Sequence, residues 1–305
     1  MKENTLTKTW VVWALALICC FLWGSAFPCV KIGYSLFGIE GAAPPTIILF
    51  AGMRFTLAGV LAAVIGSVIS RKPLFPKKTS WPMIFKLSLI QTVAQYILFY
   101  IGLANTTGVR GSIITGVNVF IAVLVASLLF HQEKLTAAKL AGCIIGFAGM
   151  ILVYMNGSSL GGAFTMNGDL LILGSAAAYG FSSVFLKRYS EYENPVVLSS
   201  YQFIVGGIIL MITGAALGGR IDMPGPEGIL MLIYLACISA VAYSLWGILL
   251  KYNPVSRVTV FGFMNPVFGV ILSSVLLSES SSLNYMVIVS LALVCVGIVI
   301  VNKAR

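Results

Sequence analysis

The sequence predicts an all-α polytopic membrane protein, ten transmembrane helices arranged as two inverted five-helix repeats. Three observations lead there. Of 305 residues, 59% are hydrophobic and only 9% charged, with a mean hydropathy of +1.01. A soluble globular chain carries about 25% charged residues, so this chain lacks the polar surface to cover itself in water. Apolar runs of roughly 20 residues recur along its whole length, and runs such as 113–130 and 286–301 do not alternate in polarity as barrel strands do. Finally, Trp23-Gly24-Ser25-Ala26-Phe27-Pro28-Cys29-Val30-Lys31 has an echo half a chain later, Tyr179-Gly180-Phe181-Ser182-Ser183-Val184-Phe185-Leu186-Lys187. Each is an aromatic residue, a glycine, small or polar residues, then lysine.

The spans follow in order from apolar runs punctuated by Pro, Gly, Asn and basic residues. The first covers about 10–33, opening after Lys8 and running past Pro28 to Lys31. Its length and the absence of a small-residue cleavage site argue against a removed signal peptide. The second, about 45–69, follows Pro44-Pro45, carries Arg54 and stops at Arg71-Lys72. Pro73, Pro76 and two lysines lead into the third, about 81–104. The fourth, about 111–131, ends before Glu133-Lys134, and the fifth, about 137–156, ends at Asn156-Gly157. The sixth, about 168–188, holds the echo and closes on Lys187-Arg188. Asn194-Pro195 opens the seventh, about 196–217, and Pro224-Gly225-Pro226 the eighth, about 228–250. Asn253-Pro254 precedes the ninth, about 256–278, and the tenth covers about 284–302.

Charge sets the orientation. With the N-terminus inside, 14 of the 19 basic residues fall on inner segments: Lys2, Lys8, Arg71, Lys72, Lys77, Lys78, Lys134, Lys139, Lys187, Arg188, Lys251, Arg257, Lys303 and Arg305. Only Lys31, Arg110 and Arg220 fall outside, a strong positive-inside bias that places both termini in the cytoplasm of a plasma-membrane protein. The same topology accounts for the net charge of +10 without nucleic acid as a partner. All six cysteines lie in apolar spans without a CxxC pair, which predicts buried thiols rather than a metal site or disulfides.

Further matches mark two related halves, 1–156 and 157–305. Met53-Arg54-Phe55 corresponds to Tyr201-Gln202-Phe203, Asn118-Val119-Phe120 to Pro266-Val267-Phe268, and Gly149 to Gly297, all 148 residues apart; Glu133 corresponds to Glu279 at 146. Five spans is an odd number, so the second half is inverted in the membrane, a plan transporters share.

The residues Trp23-Gly24-Ser25 with Phe27-Pro28 and Lys31, Arg54, the run from Gly102-Leu103 through Phe130 to Glu133-Lys134-Leu135, Asn265-Pro266-Val267-Phe268 and Leu277-Ser278-Glu279 carry a likeness. On them the chain resembles the EamA family of the drug/metabolite transporter superfamily over nearly its whole length. The resemblance implies ten helices, export of small metabolites, amino acids often among them, and a cavity surrounded by the first, third, fourth, sixth, eighth and ninth spans. Asn118 stands where the family often has proline, which implies a straighter fourth helix, and His131-Gln132 stands where a small residue is usual.

No GxxxxGK[ST] loop is present to cradle ATP phosphates, and no HExxH, paired mid-span carboxylates or Ser-His-Asp grouping stands out. The expectation is a protein without cofactor or metal that is not an enzyme. The acidic residues all lie in loops or near helix ends, which disfavours a cationic-drug antiporter, whose substrate would want a buried carboxylate. Arg54 is the one charge well inside a span and costs about 2.5–3.5 kcal/mol there on insertion scales. It faces protein or water, to cap carbonyls or pair with a polar neighbour, or to meet a substrate carboxylate; the first role is the favoured one. Pro28 and Pro266 are either hinges or static kinks.

The candidate substrate-binding residues are Trp23, Ser25, Gln95, Tyr96, Asn118, Tyr179, Ser183, Tyr243, Trp246 and Asn265. Polar groups in hydrocarbon need partners, so these face the bundle interior, as a cavity wall or as helix–helix hydrogen bonds. Aromatic residues in such a wall stack an apolar side chain while amides bind a backbone-like group. The function expected is a secondary active exporter of small metabolites such as amino acids, working by alternating access. The alternatives are a membrane-embedded enzyme acting on lipid or isoprenoid substrates, and a channel or scaffold. The expected partners are a small-molecule metabolite and the lipid bilayer, with the chain a monomer or homodimer; GxxxG patterns at Gly142–Gly146 and Gly214–Gly218 suit packing within or between subunits.

Overall fold

The computed structural model describes residues 3–155, 164–277 and 285–303; Glu279 and the Asn156-Gly157 turn lie outside them. Every regular element among the described residues is helical. Seven helices are long and apolar enough to cross a membrane: α1 (Thr9–Leu36), α2 (Pro44–Ser70), α3 (Lys78–Ala104), α7 (Met166–Tyr189), α8 (Pro195–Ala216), α9 (Pro226–Tyr252) and α10 (Val255–Leu276). Shorter helices stand between and after them: α4 (Gly108–Thr115), α5 (Asn118–Leu129), α6 (Ala137–Met155) and α11 (Tyr285–Lys303).

Helix starts obey local chemistry. Pro44, Pro195 and Pro226 occupy first-turn positions, where a missing N–H costs nothing. The Asn194 side chain caps α8, accepting from Val196 N at 2.9 Å. Thr165 caps α7 and is held reciprocally: its Oγ1 accepts from Asp169 N at 3.3 Å, while Asp169 accepts from Thr165 N at 2.9 Å. Arg71, at φ 52°, ends α2 in the left-handed conformation.

α1 runs through Pro28 as continuous helix. The fourth span breaks at Gly116-Val117 between α4 and α5 and finishes in a π-turn, Val125–Leu129. A second π-turn, Ser88–Ala94, interrupts α3 immediately before Gln95 and Tyr96. Nothing in the apolar pattern announces either, since inserting one residue per turn leaves composition unchanged.

Packing follows a repeated scheme. α2 lies along α8, and α6 along α11. α1 packs on α9 and α10, while α7, its counterpart, packs on α3 and on α4 and α5; α2 touches α9 as α8 touches α3. Glycines set the closest seam. A Cβ on Gly59 would stand 2.5 Å from the Ser200 carbonyl oxygen, and one on Gly207 would stand 2.4 Å from Thr56 N, so the α2 and α8 backbones touch directly. Gly142 and Gly297 do the same for α6 and α11.

Loop carboxylates tie helix ends together. Glu193 accepts from Lys77 N at 3.0 Å, Ser80 Oγ at 2.7 Å and Asn194 N at 2.8 Å, joining the α2–α3 connection to the start of α8. Glu133, from the loop after α5, accepts from Ser256 N at 2.9 Å and Lys139 Nζ at 3.0 Å, placing a negative charge on the first turn of α10. Burial pushes both carboxyls up, but the hydrogen bonds they accept and the neighbouring lysine outweigh it and hold each below its ordinary value. Lys187, last residue of the echo, donates to the Leu250 and Asn253 carbonyls at 3.0 and 2.7 Å and so caps the end of α9.

Candidate functional site

The two echo aromatics meet at the middle of the bundle. The Trp23 and Tyr179 rings lie edge to face with centroids 6.0 Å apart. Tyr243 adds a third ring, 5.0 Å from Trp23 and 6.4 Å from Tyr179. Around them is a cavity of about 60 Å³ lined by Trp23, Ala26, Phe27, Arg54, Gln95, Tyr96, Phe99, Thr115, Asn118, Ser175, Ala176, Tyr179, Tyr243 and Asn265. The lining comes from α1, α3, α4, α5, α7, α9 and α10, the six spans named by the resemblance, with Arg54 of α2 added.

Seven of the ten sequence-predicted residues converge on this wall: Trp23, Gln95, Tyr96, Asn118, Tyr179, Tyr243 and Asn265. Three do not. The Ser25 hydroxyl donates to Leu22 O at 2.8 Å and pairs with the Tyr234 hydroxyl at 2.9 Å. Ser183 donates to the Tyr179 carbonyl at 2.9 Å, bonding back along its own helix. Trp246 packs behind Trp23, ring centroids 4.9 Å apart, as part of the core.

Sequence reasoning passed over Phe27, Phe99 and Ser175. The signal was present: each stands four residues from a predicted member, Trp23, Gln95 and Tyr179 respectively, and shares its helix face.

The wall combines aromatic surface with convergent polar ends. The Tyr96 and Tyr243 hydroxyls are 2.5 Å apart, and Gln95 Nε2 donates to Tyr243 at 3.4 Å. Behind the tyrosines, Arg54 is 2% exposed. Its Nε donates to Leu235 O at 3.0 Å, one terminal nitrogen to Ser239 Oγ at 3.1 Å and the other to the Tyr100 hydroxyl. The expected carbonyl-capping role of Arg54 is therefore real, yet the side chain also reaches the cavity. Several buried polar atoms on the wall have no protein partner: Trp23 Nε1, Gln95 Oε1, Asn118 Oδ1 and Asn265 Oδ1. Buried polar atoms are normally satisfied, so these four hold hydrogen-bonding capacity that no protein group takes up.

A larger groove of about 690 Å³ runs between α2, the start of α8 and α9. Its wall is mostly aliphatic, with Lys77, Glu191, Glu193 and Lys251 confined to one end, and it lacks the convergent polar groups of the central cavity. Among the described residues no cluster of His, Cys, Asp and Glu could hold a metal ion.

The EamA-like transporter family model matches residues 9–155 and 166–303. The chain belongs to the EamA-like transporter family. It is a multi-pass membrane protein, as its apolar helices require. Among relatives, it is 26% identical to the uncharacterized transporter YvbV of Bacillus subtilis over 99% of this chain and 94% of that one. It is 25% identical to a probable amino-acid metabolite efflux pump of Salmonella typhimurium, over 87% of each chain. A solved crystal structure superposes with a TM-score of 0.68 at 18% identity, covering 95% of this chain and 99% of the other, a likeness of fold.

Proposed function

We propose that this EamA-like protein is a secondary active transporter that exports small metabolites such as amino acids by alternating access. One observation carries the reading. A cavity among the described residues is walled by aromatic rings and unpartnered polar atoms, drawn from helices of both halves. Aromatic faces suit an apolar side chain, and the amides and indole N–H suit the polar end of the same molecule. At about 60 Å³ the cavity is too small for an amino acid, so substrate passage requires the helices around it to part.

The architecture we propose is ten membrane helices in two oppositely oriented five-helix repeats, 1–156 and 157–305. Here α4 with α5 forms one span, and α6 and α11 also cross. The packing scheme supports this reading, because it maps onto itself when each helix is exchanged for its counterpart. So does the double match to the family model. The positive-inside count supports a plasma-membrane location with both termini cytoplasmic. The name of the Salmonella relative supports amino acids as the substrate class.

The test is efflux from proteoliposomes loaded with a labelled metabolite panel. Saturable, substrate-selective loss is expected. Absence of flux for every member overturns the proposal, and turnover of lipid or isoprenoid without flux would establish the enzyme alternative in its place.

A further inference from the structure

Arg54 carries a charge that its surroundings do not balance. It is buried, it borders the central cavity, and its hydrogen-bond partners are a carbonyl and two hydroxyls. Among the described residues the ion pairs are Arg110–Asp169 and Lys139–Glu133, and neither involves Arg54. Its guanidinium also stands over the Phe55 and Tyr100 rings, 5.0 and 5.9 Å from their centroids. Neutral partners satisfy N–H groups without cancelling a positive charge, and in low dielectric that charge projects into the cavity with little attenuation.

The protein contains its own control for the structural explanation. The position corresponding to Arg54 in the second half is Gln202, and the position corresponding to Ser239 in the first half is Gln91, each 148 residues away. Gln202 is as deeply buried as Arg54, and its Nε2 donates to Gln91 Oε1 at 2.6 Å. A neutral amide pair therefore fills the equivalent place between the equivalent helices. Packing does not demand a cation at this location, and its presence on the cavity side alone points to a ligand.

We infer that Arg54 is the anion-recognising residue of the cavity, and that the transported molecule bears a single carboxylate, as a monocarboxylate or an amino-acid zwitterion. The inference rests on the transport reading and narrows it. One guanidinium balances one negative charge, and of its five N–H groups two remain beyond those given to Leu235, Ser239 and Tyr100. A dianionic phosphate would leave one charge unmatched, because the remaining wall is neutral. The unpartnered oxygens of Gln95, Asn118 and Asn265 then supply acceptors for an ammonium group, and the rings of Trp23, Tyr179 and Tyr243 a face for the side chain. A free cation lacking a carboxylate meets repulsion from Arg54.

The experiment measures thermal stabilisation of the purified full-length protein in lipid nanodiscs. The probes are the standard amino acids and simple monocarboxylates, and, for each acid that binds, its carboxamide. The carboxamide differs only in losing the negative charge. At least one acid is expected to stabilise the wild type, with its amide at least tenfold weaker. Arg54→Lys retains the acid preference with reduced affinity, and Arg54→Gln brings acid and amide to within about threefold. Should Arg54→Gln not fold, the wild-type acid–amide ratio and Arg54→Lys decide the matter. No binding by any acid, equal binding of acid and amide, or an unchanged ratio in Arg54→Gln overturns the inference. Counterflow in proteoliposomes separates the two levels. Acid-selective binding without flux defeats the transport reading and keeps Arg54. Flux with no acid preference does the reverse.

Discussion

Replacing Gly59 or Gly207 by alanine drives a methyl group into the α2–α8 seam. The added Cβ at Gly59 would lie 2.5 Å from Ser200 O and 2.6 Å from Ile204 N, and that at Gly207 2.4 Å from Thr56 N. Ordinary contact begins at 3.4 Å, so the helices must separate locally by 3.4 − 2.5 = 0.9 Å and 3.4 − 2.4 = 1.0 Å. The obstructing atoms are backbone and cannot swing aside. Overpacking of this kind costs about 1–3 kcal/mol, and the upper half of that range applies where nothing flexible can yield. Alanine returns about 1 kcal/mol of helix propensity, so each single variant loses about 1–2 kcal/mol net. The two sites share one seam, and a single separation partly relieves both, so the double variant loses less than the sum. At about 2–4 °C per kcal/mol, each single variant melts roughly 2–8 °C lower in detergent. Gly174→Ala is the control: its Cβ would meet only the flexible Leu98 Cδ1 at 3.2 Å, and it should melt at or above the wild type. Seam variants that match or exceed the wild-type melting temperature would refute the argument.

Other outcomes follow from the same contacts. Trp23→Ala removes the ring that meets Tyr179, Tyr243 and Trp246, and should lower flux several-fold while the protein still inserts; normal flux at normal expression places Trp23 outside the path. Glu193→Gln leaves one carbonyl oxygen where two oxygens accepted three hydrogen bonds, and turns an N–H₂ onto a donor, costing about 1.5–3 kcal/mol at neutral pH. Because the folded carboxyl is held below its ordinary value of 4.5, its contribution is complete above that pH and fades as pH falls through the folded value. The melting gap between wild type and variant should therefore be full at pH 7 and narrow below about pH 4.5. A gap constant down to pH 3 would show that charge is not the cause. Asp169→Asn removes the charge from a buried pair with Arg110, where Asp169 also accepts from Thr106 at 3.0 Å; a loss of about 3–5 kcal/mol is expected in the same melting assay.

Much of the helix layout was legible because hydrocarbon leaves the chain few choices. Runs of apolar residues between Pro44, Asn194, Pro226 and the basic loops had to become helices if they enter hydrocarbon, and each is a helix long enough to cross it. The meeting of Trp23 with Tyr179 was legible from the echo, since related helices bring related positions together. What escaped was local. The π-turn at Ser88–Ala94 shifts the helix face just before Gln95 and leaves no compositional trace. Ser25 is two residues past Trp23, about 200° around the helix, so its hydroxyl turned to Leu22 and Tyr234. Ser183 shares the face of Tyr179, but its short side chain found the carbonyl one turn back before it could reach the cavity. Arg54 was seen as either a cap or a ligand-facing charge; its Nε bonds the Leu235 carbonyl, and the same side chain borders the cavity.

The glycine seams also say where the molecule can give. Where Gly59 meets Ser200 and Gly142 meets Gly297, main chain rests on main chain with no rotamer between them to reshuffle. Such joints behave as fixed bearings. Any stroke that opens the centre must then be taken up in the softer neighbouring layers, where rings such as Phe27, Phe99 and Phe268 stand between the helices and can tilt without parting the frame.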